Sequence, residues 1–102
     1  MAKWVRAASV DELPPGKSKL VEAEGTRAVL FNVGGSFYAI DDACSHVGGS
    51  LAEGPVRGEE VECPWHGARF NVKTGAAMSA PAADNVAVYK VRVSGSDIEV
   101  EI

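Results

Sequence analysis

Two cysteines and two histidines are the only thiol and imidazole metal ligands in this sequence, and they fall in two short clusters. The first reads Cys44-Ser45-His46 and the second Cys63-Pro64-Trp65-His66, with sixteen residues between His46 and Cys63. A lone cysteine is ordinarily a small buried hydrophobe, and a lone histidine a satisfied polar group. Here each cysteine has a histidine two or three positions on, in segments rich in Gly and Pro. Chance explains that pairing poorly. A Cys44–Cys63 disulfide would leave both histidines without a purpose.

Two metal centres fit a Cys₂His₂ set. Zinc takes thiolate and imidazole tetrahedrally, and a structural zinc site would use all four on one ion. A two-iron, two-sulfide cluster can instead place both cysteines on one iron and both histidines on the other. Common zinc-finger spacing groups Cys with Cys and His with His. This chain interleaves them, so the two loops can act as near-equivalent arms of a clamp. With all protein ligands filled, neither centre leaves a position for substrate. The sequence offers no Ser/His/Asp set, no phosphate loop and no spare histidine for acid–base work.

C-x-H, a spacer of this length and then C-P-x-H-G resembles the Rieske [2Fe–2S] pattern, and the resemblance extends over essentially the whole chain. It is nearest to the small Rieske ferredoxins of bacterial aromatic-ring dioxygenase systems. The resemblance implies that Cys44 and Cys63 hold the inner iron and that His46 and His66 hold the outer one near an exposed tip. It implies a cytoplasmic electron carrier rather than an enzyme. Its partners would be a flavin-dependent reductase, which supplies single electrons, and a terminal ring-hydroxylating oxygenase, which receives them. High-potential members of the family carry an extra cysteine in each loop, joined as a disulfide. Gly49 and Trp65 stand at those positions here. The Ser and Tyr hydroxyls of those members are replaced by Ala68 and Phe70, so a low potential is expected. A Rieske-like small subunit of a nitrite reductase is the alternative within this family, and a structural zinc module the alternative outside it.

The elements that must mount these loops read as strands. Trp4 to Ala8 is followed by a Ser9-Val10-Asp11-Glu12 capping box, which Pro14-Pro15-Gly16 ends after one turn. Lys19 to Glu22 is a short strand. Arg27 to Val33 and Phe37 to Asp41 form a hairpin about Gly34-Gly35. Asp42 to Leu51 is the first ligand loop. Val56–Arg57 and Glu60–Glu62 pair around Gly58 and carry the chain to the second loop, Cys63 to Gly67. Phe70 to Val72 continues as a strand, and Ala76 to Asp84 is a Pro81-containing loop that the resemblance places over the cluster. Val86 to Val93 and Ile98 to Ile102 make the last hairpin, with Ile98, Val100 and Ile102 alternating against acids. No window carries a helical period. The fold expected is all-β, an antiparallel sandwich or barrel: one domain over residues 1–102, with the cluster-binding subdomain at about 42–84.

The bulk numbers agree. A chain of 102 residues with 46% hydrophobic and 24% charged residues has the balance of a globular domain. A net charge of −4 disfavours nucleic acid. No apolar run is long enough to span a membrane, and the N-terminus lacks a secretory stretch. A monomer is expected. The acidic pairs Asp11-Glu12, Asp41-Asp42 and Glu59-Glu60 read as a solvated surface or as a steering field for basic redox partners.

Overall fold

Ala28 to Phe31, in the middle of the strand Thr26–Val33, is an unbroken apolar run, a pattern that suits a strand covered on both faces better than one facing water. The computed structural model, which describes residues 3–42, 50–64, 67–78 and 85–102, shows that arrangement. Ten strands are present among the described residues: β1 (Trp4–Ser9), β2 (Ser18–Ala23), β3 (Thr26–Val33), β4 (Ser36–Asp41), β5 (Val56–Arg57), β6 (Glu60–Glu62), β7 (Arg69–Asn71), β8 (Val88–Tyr89), β9 (Val91–Ser94) and β10 (Asp97–Glu101). They build three antiparallel sheets, ordered β1-β10-β9, β2-β3-β4-β8 and β5-β6-β7. The helical elements among the described residues are two single 3-10 turns, Val10–Glu12 and Leu51–Glu53. The all-β expectation holds.

The β2-β3-β4-β8 sheet lies between the other two. From β3 and β4, Val29, Phe31 and Ile40 join Leu51, Val61, Cys63, Ala68, Phe70, Val72 and Val86 in one core. Leu30 and Ala39, pointing the other way, join Ala7, Ala8, Leu13, Val21, Ile98 and Val100 in a second. Alternate residues of one strand therefore serve opposite cores, as the period of two requires. Burying each large side chain contributes about 1.5–3 kcal/mol.

The β3–β4 turn is built as its residues predict. Gly34 and Gly35 take φ of 61° and 95°, which only glycine adopts without strain. Buried Asn32 receives the Gly35 N–H on Oδ1 at 2.8 Å and donates Nδ2 to the Leu13 carbonyl at 2.7 Å. That side chain ties the hairpin to the segment after the first 3-10 turn. Glu12 closes this turn through its carboxylate, which accepts the Ser9 N–H at 3.2 Å.

Two expectations need correction. The single strand expected over Val86 to Val93 is two strands that divide at Lys90. β8 pairs with β4 in the middle sheet, while β9 pairs with β10 in another. The Lys90 carbonyl accepts the Glu101 N–H at 2.9 Å, so the ladder to β10 begins at the corner itself. The strand expected over Phe70 to Val72 begins one residue earlier, since Arg69 is already paired with Glu62.

Candidate metal centre

Of the four candidate ligands, Cys44, His46 and His66 lie outside the described residues, as do Gly49, Trp65 and Pro81. Cys63 is described. It is fully buried and its thiol is free. Its neighbours in the core include Leu51, Ala68, Phe70 and Val86. The site is therefore built from Cys63 and from the roots of the segments that carry the other candidate ligands.

The second ligand segment is rooted where β6 ends and β7 begins. The Cys63 N–H donates to the Ala68 carbonyl at 2.7 Å, and the Gly67 N–H donates to the Cys63 carbonyl at 3.0 Å. Gly67 has φ of 73°. A left-handed residue there lets the chain reverse within a few residues. Cys63 and Ala68 are thus tied directly across the stretch that contains His66.

The first ligand segment leaves β4 at Asp41. Asp42 is 4% exposed, the one buried carboxylate among the described residues. Its Oδ1 accepts from the Ser50 hydroxyl at 2.8 Å and from the Ala52 N–H at 2.9 Å. Its Oδ2 lies 3.5 Å from the Arg27 guanidinium. Its carbonyl accepts the Leu51 N–H at 2.7 Å, and its N–H donates to the Arg27 carbonyl. Both ends of the stretch bearing Cys44 and His46 therefore meet on one residue.

A third return completes the base. Met78 N–H donates to the Arg69 carbonyl at 2.7 Å, Val86 N–H to the Gly75 carbonyl at 2.9 Å, and Ala77 N–H to Asn85 Oδ1 at 3.0 Å. Gly75 has φ of 73°, and a Cβ there would collide with the Val86 carbonyl. Asn71 Oδ1 caps the preceding turn by accepting from Lys73 and Thr74. Leu51 from the first segment's root, Cys63 and Ala68 from the second's and Val86 from the third's share a single buried core.

Charge around these roots is mostly paired. Lys73 lies 3.1 Å from Glu59 and over the Tyr38 ring, and the Glu59 hydrogen bond holds its pKa above the usual lysine value. Arg69 lies 3.8 Å from Glu60. Burial, with Asp41 nearby, pushes the Tyr89 phenol up. Away from the site, Glu12 sits between Arg6 and Lys19. Exposed pairs of this kind contribute little, about 0–1 kcal/mol each. Asp42 is the acid that sequence reasoning misplaced. Beside Asp41 it reads as half of a solvated acidic pair, yet its carboxylate is committed inside the fold.

The donor set fits a two-iron cluster. It offers two thiols and two imidazoles, two per segment, and the one donor described is a free thiol in an apolar core. Iron–sulfur potentials depend on burial and on hydrogen bonds to sulfur. Here the Cys63 N–H is already taken by a carbonyl, and Ala68 and Phe70, both fully buried beside Cys63, carry no hydroxyl.

Comparison with known proteins points the same way. The model of the Rieske [2Fe–2S] domain matches residues 3–90. The ferredoxin subunit of the 3-phenylpropionate/cinnamic acid dioxygenase of Shigella boydii is 43% identical over 99 residues, covering 96% of this chain and 92% of that one. The ferredoxin component of the naphthalene 1,2-dioxygenase system of Pseudomonas aeruginosa is 36% identical over 100 residues, covering 98% and 96%. A complex of reduced oxygenase and oxidized ferredoxin in carbazole 1,9a-dioxygenase contains a chain that superposes with a TM-score of 0.92. That chain is 35% identical, and the match covers 95% of this chain and 91% of that one. A structure assigned to the small subunit of an NADH-dependent nitrite reductase from Mycobacterium tuberculosis superposes with a TM-score of 0.88 at 26% identity, covering 100% and 96%.

Proposed function

Because this chain belongs to the Rieske [2Fe–2S] family, we propose that it is a ferredoxin carrying single electrons from a flavin-dependent reductase to a terminal ring-hydroxylating oxygenase. It works in the cytoplasm, as one domain with its cluster-binding subdomain at about 42–84, and catalyses no reaction of its own. Cys44 and Cys63 would hold the inner iron, and His46 and His66 the outer. A cluster so held supplies reversible one-electron chemistry at a higher potential than an all-cysteine cluster, since neutral imidazoles replace two thiolates.

The protein's own residues have separate tasks. Asp42, Cys63 and Ala68 close the bases of the ligand segments through hydrogen bonds. Leu51, Phe70 and Val86 keep water from the Cys63 side. The observation that carries the reading is the interleaved Cys-x-His and Cys-Pro-x-His pair, whose one described donor is a free thiol in a dry core. The ferredoxin names of relatives at 36% and 43% identity support the role and the partners.

The test is electron paramagnetic resonance of the dithionite-reduced protein. A rhombic signal with the low average g of mixed Cys/His ligation is expected, altered or lost in His46→Cys and His66→Cys. An average g like that of an all-cysteine ferredoxin, or colourless zinc-bearing protein, refutes the assignment. The shape shared with a nitrite reductase small subunit favours a second role on the same fold. Reconstitution decides between them. The carrier role requires oxygenase turnover that depends on this chain and a reductase, whereas the second requires association with a nitrite-reducing subunit.

A further inference from the structure

We propose that Asp42 is a positioning residue for the metal centre, its Oδ1 fixing the span across which Cys44 and His46 reach their metal. This rests on the reading of those two residues as ligands. The argument begins with cost. A buried carboxylate destabilises a fold unless its oxygens are matched. Here both are matched. Oδ1 takes the Ser50 hydroxyl and the Ala52 N–H, and Oδ2 faces Arg27. No buried side-chain polar atom among the described residues lacks a partner.

The partners all lie across the ligand-bearing stretch or on the adjacent strand. Asp42 precedes residues 43–49, and Ser50, Leu51 and Ala52 follow them. One side chain and its own carbonyl gather both ends of a segment that includes Gly48 and Gly49. Ordering such a glycine-rich segment costs more backbone entropy than ordering others. Fixing its ends beforehand lowers what the ligands must supply. An apolar residue at position 42 would instead leave the Ala52 N–H and the Ser50 hydroxyl without this acceptor.

The two oxygens have separable tasks. Arg27 is half exposed and its guanidinium lies at 3.5 Å, so the ion pair is weak and solvent-screened. The hydrogen bonds to Oδ1 are shorter and better shielded. Geometry at Oδ1, rather than charge, is therefore the active element. Asp42→Asn keeps an oxygen acceptor of the same shape, Asp42→Ala removes it, and Arg27→Met removes only the ion pair.

The experiment reads iron release from the reduced holoprotein to a ferrous chelator, with paramagnetic resonance of the fraction that remains loaded. Asp42→Ala should release iron about tenfold faster, a factor equal to about 1.4 kcal/mol and so to one hydrogen bond. Its loaded fraction should show shifted g-values, which a simple loss of stability would not produce. Asp42→Asn and Arg27→Met should keep wild-type g-values and nearly wild-type release. Ser50→Ala, a milder change that removes one of the two donors and leaves the carboxylate in place, should fall between. Wild-type release and g-values in Asp42→Ala overturn the proposal, as does a lowered melting temperature with an unaltered loaded fraction. An Asp42→Asn protein that behaves like Asp42→Ala overturns the assignment to Oδ1. Amide exchange at Leu51 and Ala52 needs no cluster signal. Should the wild type lack a mixed-ligand spectrum, the functional reading fails, while unchanged exchange in Asp42→Ala would separately refute the latch.

Discussion

Gly54 offers a sharp test of how the small sheet sets Cys63. It follows the Leu51–Glu53 turn with φ of −88° and ψ of 155°, a conformation open to any residue. Its backbone therefore does not demand glycine. The space does. A Cβ at Gly54 would run into the Glu62 carbonyl oxygen and come within 3.0 Å of the carbon behind it and 3.4 Å of Pro64 Cδ. None of these is the free end of a flexible side chain, so Gly54→Ala must push the backbone that leads directly into Cys63. Overpacking of this kind costs about 1–3 kcal/mol. If β5 and β6 part to relieve it, the Glu62 N–H loses its 3.0 Å bond to the Pro55 carbonyl. That adds about 1 kcal/mol. A total near 2–4 kcal/mol lowers the melting temperature of a chain this size by about 10–20 °C. Gly58→Ala is the control. Its φ is 61° with open space around it, so it carries only the left-handed backbone penalty, about 1–2 kcal/mol. Thermal and urea unfolding followed by circular dichroism should rank Gly54→Ala below Gly58→Ala, and only Gly54→Ala should alter the visible spectrum. Equal melting temperatures, or a spectrum disturbed equally by both, would refute the reasoning.

Three further outcomes follow from the same geometry. Ala68→Ser with Phe70→Tyr adds two hydroxyls beside Cys63; a bond that strengthens on reduction is worth about 1–2 kcal/mol, so film voltammetry should show a rise of roughly 40–90 mV for a one-electron couple. An unchanged or lower potential would mean those positions do not face the cluster. Glu12 is held below its usual value near 4.5, chiefly by the Ser9 N–H and then by Lys19. Its contribution is thus present above that value and lost as pH falls through the folded pKa. Glu12→Gln should flatten the acid limb of the urea midpoint against pH, and an unaltered limb would contradict this. Asp41→Lys should slow reduction by the reductase, most at low salt. A rate independent of both charge and salt would refute this.

Much of the fold was legible because the strands alternate and the turns carry glycine. The hairpins at Gly34-Gly35 and Gly58 and the single turn at Val10–Glu12 lie where their residues predict. The break at Lys90 was not legible. Val86, Val88, Val91 and Val93 all suit extended chain, and a period of two reports conformation without reporting which sheet a strand joins. Asp42 escaped notice for a related reason. An acid beside another acid at a strand end signals solvent, and only the return of the chain at Ser50 supplies the donors that draw it inside. The four candidate ligands stand out in the sequence, since their types and spacing point to metal chemistry without any tertiary knowledge. The hydrogen-bonded roots at Asp42 and Cys63 are announced by no local pattern.

The pairing of β4 with β8 has a consequence for how this architecture can diverge. Ile40 faces Val88, and the Asp41 N–H meets the Ala87 carbonyl at 2.9 Å. Everything between those points departs from and returns to adjacent rungs of one ladder. Lengthening an excursion of this kind changes its closure entropy only slowly, by about 0.6 kcal/mol for each doubling. Insertions, deletions and new surface chemistry can thus accumulate in the turns between its core residues while β4 and β8 keep their register. A descendant could trade one docking surface for another, or lose its metal altogether, and still fold around the same β3–β4 hairpin.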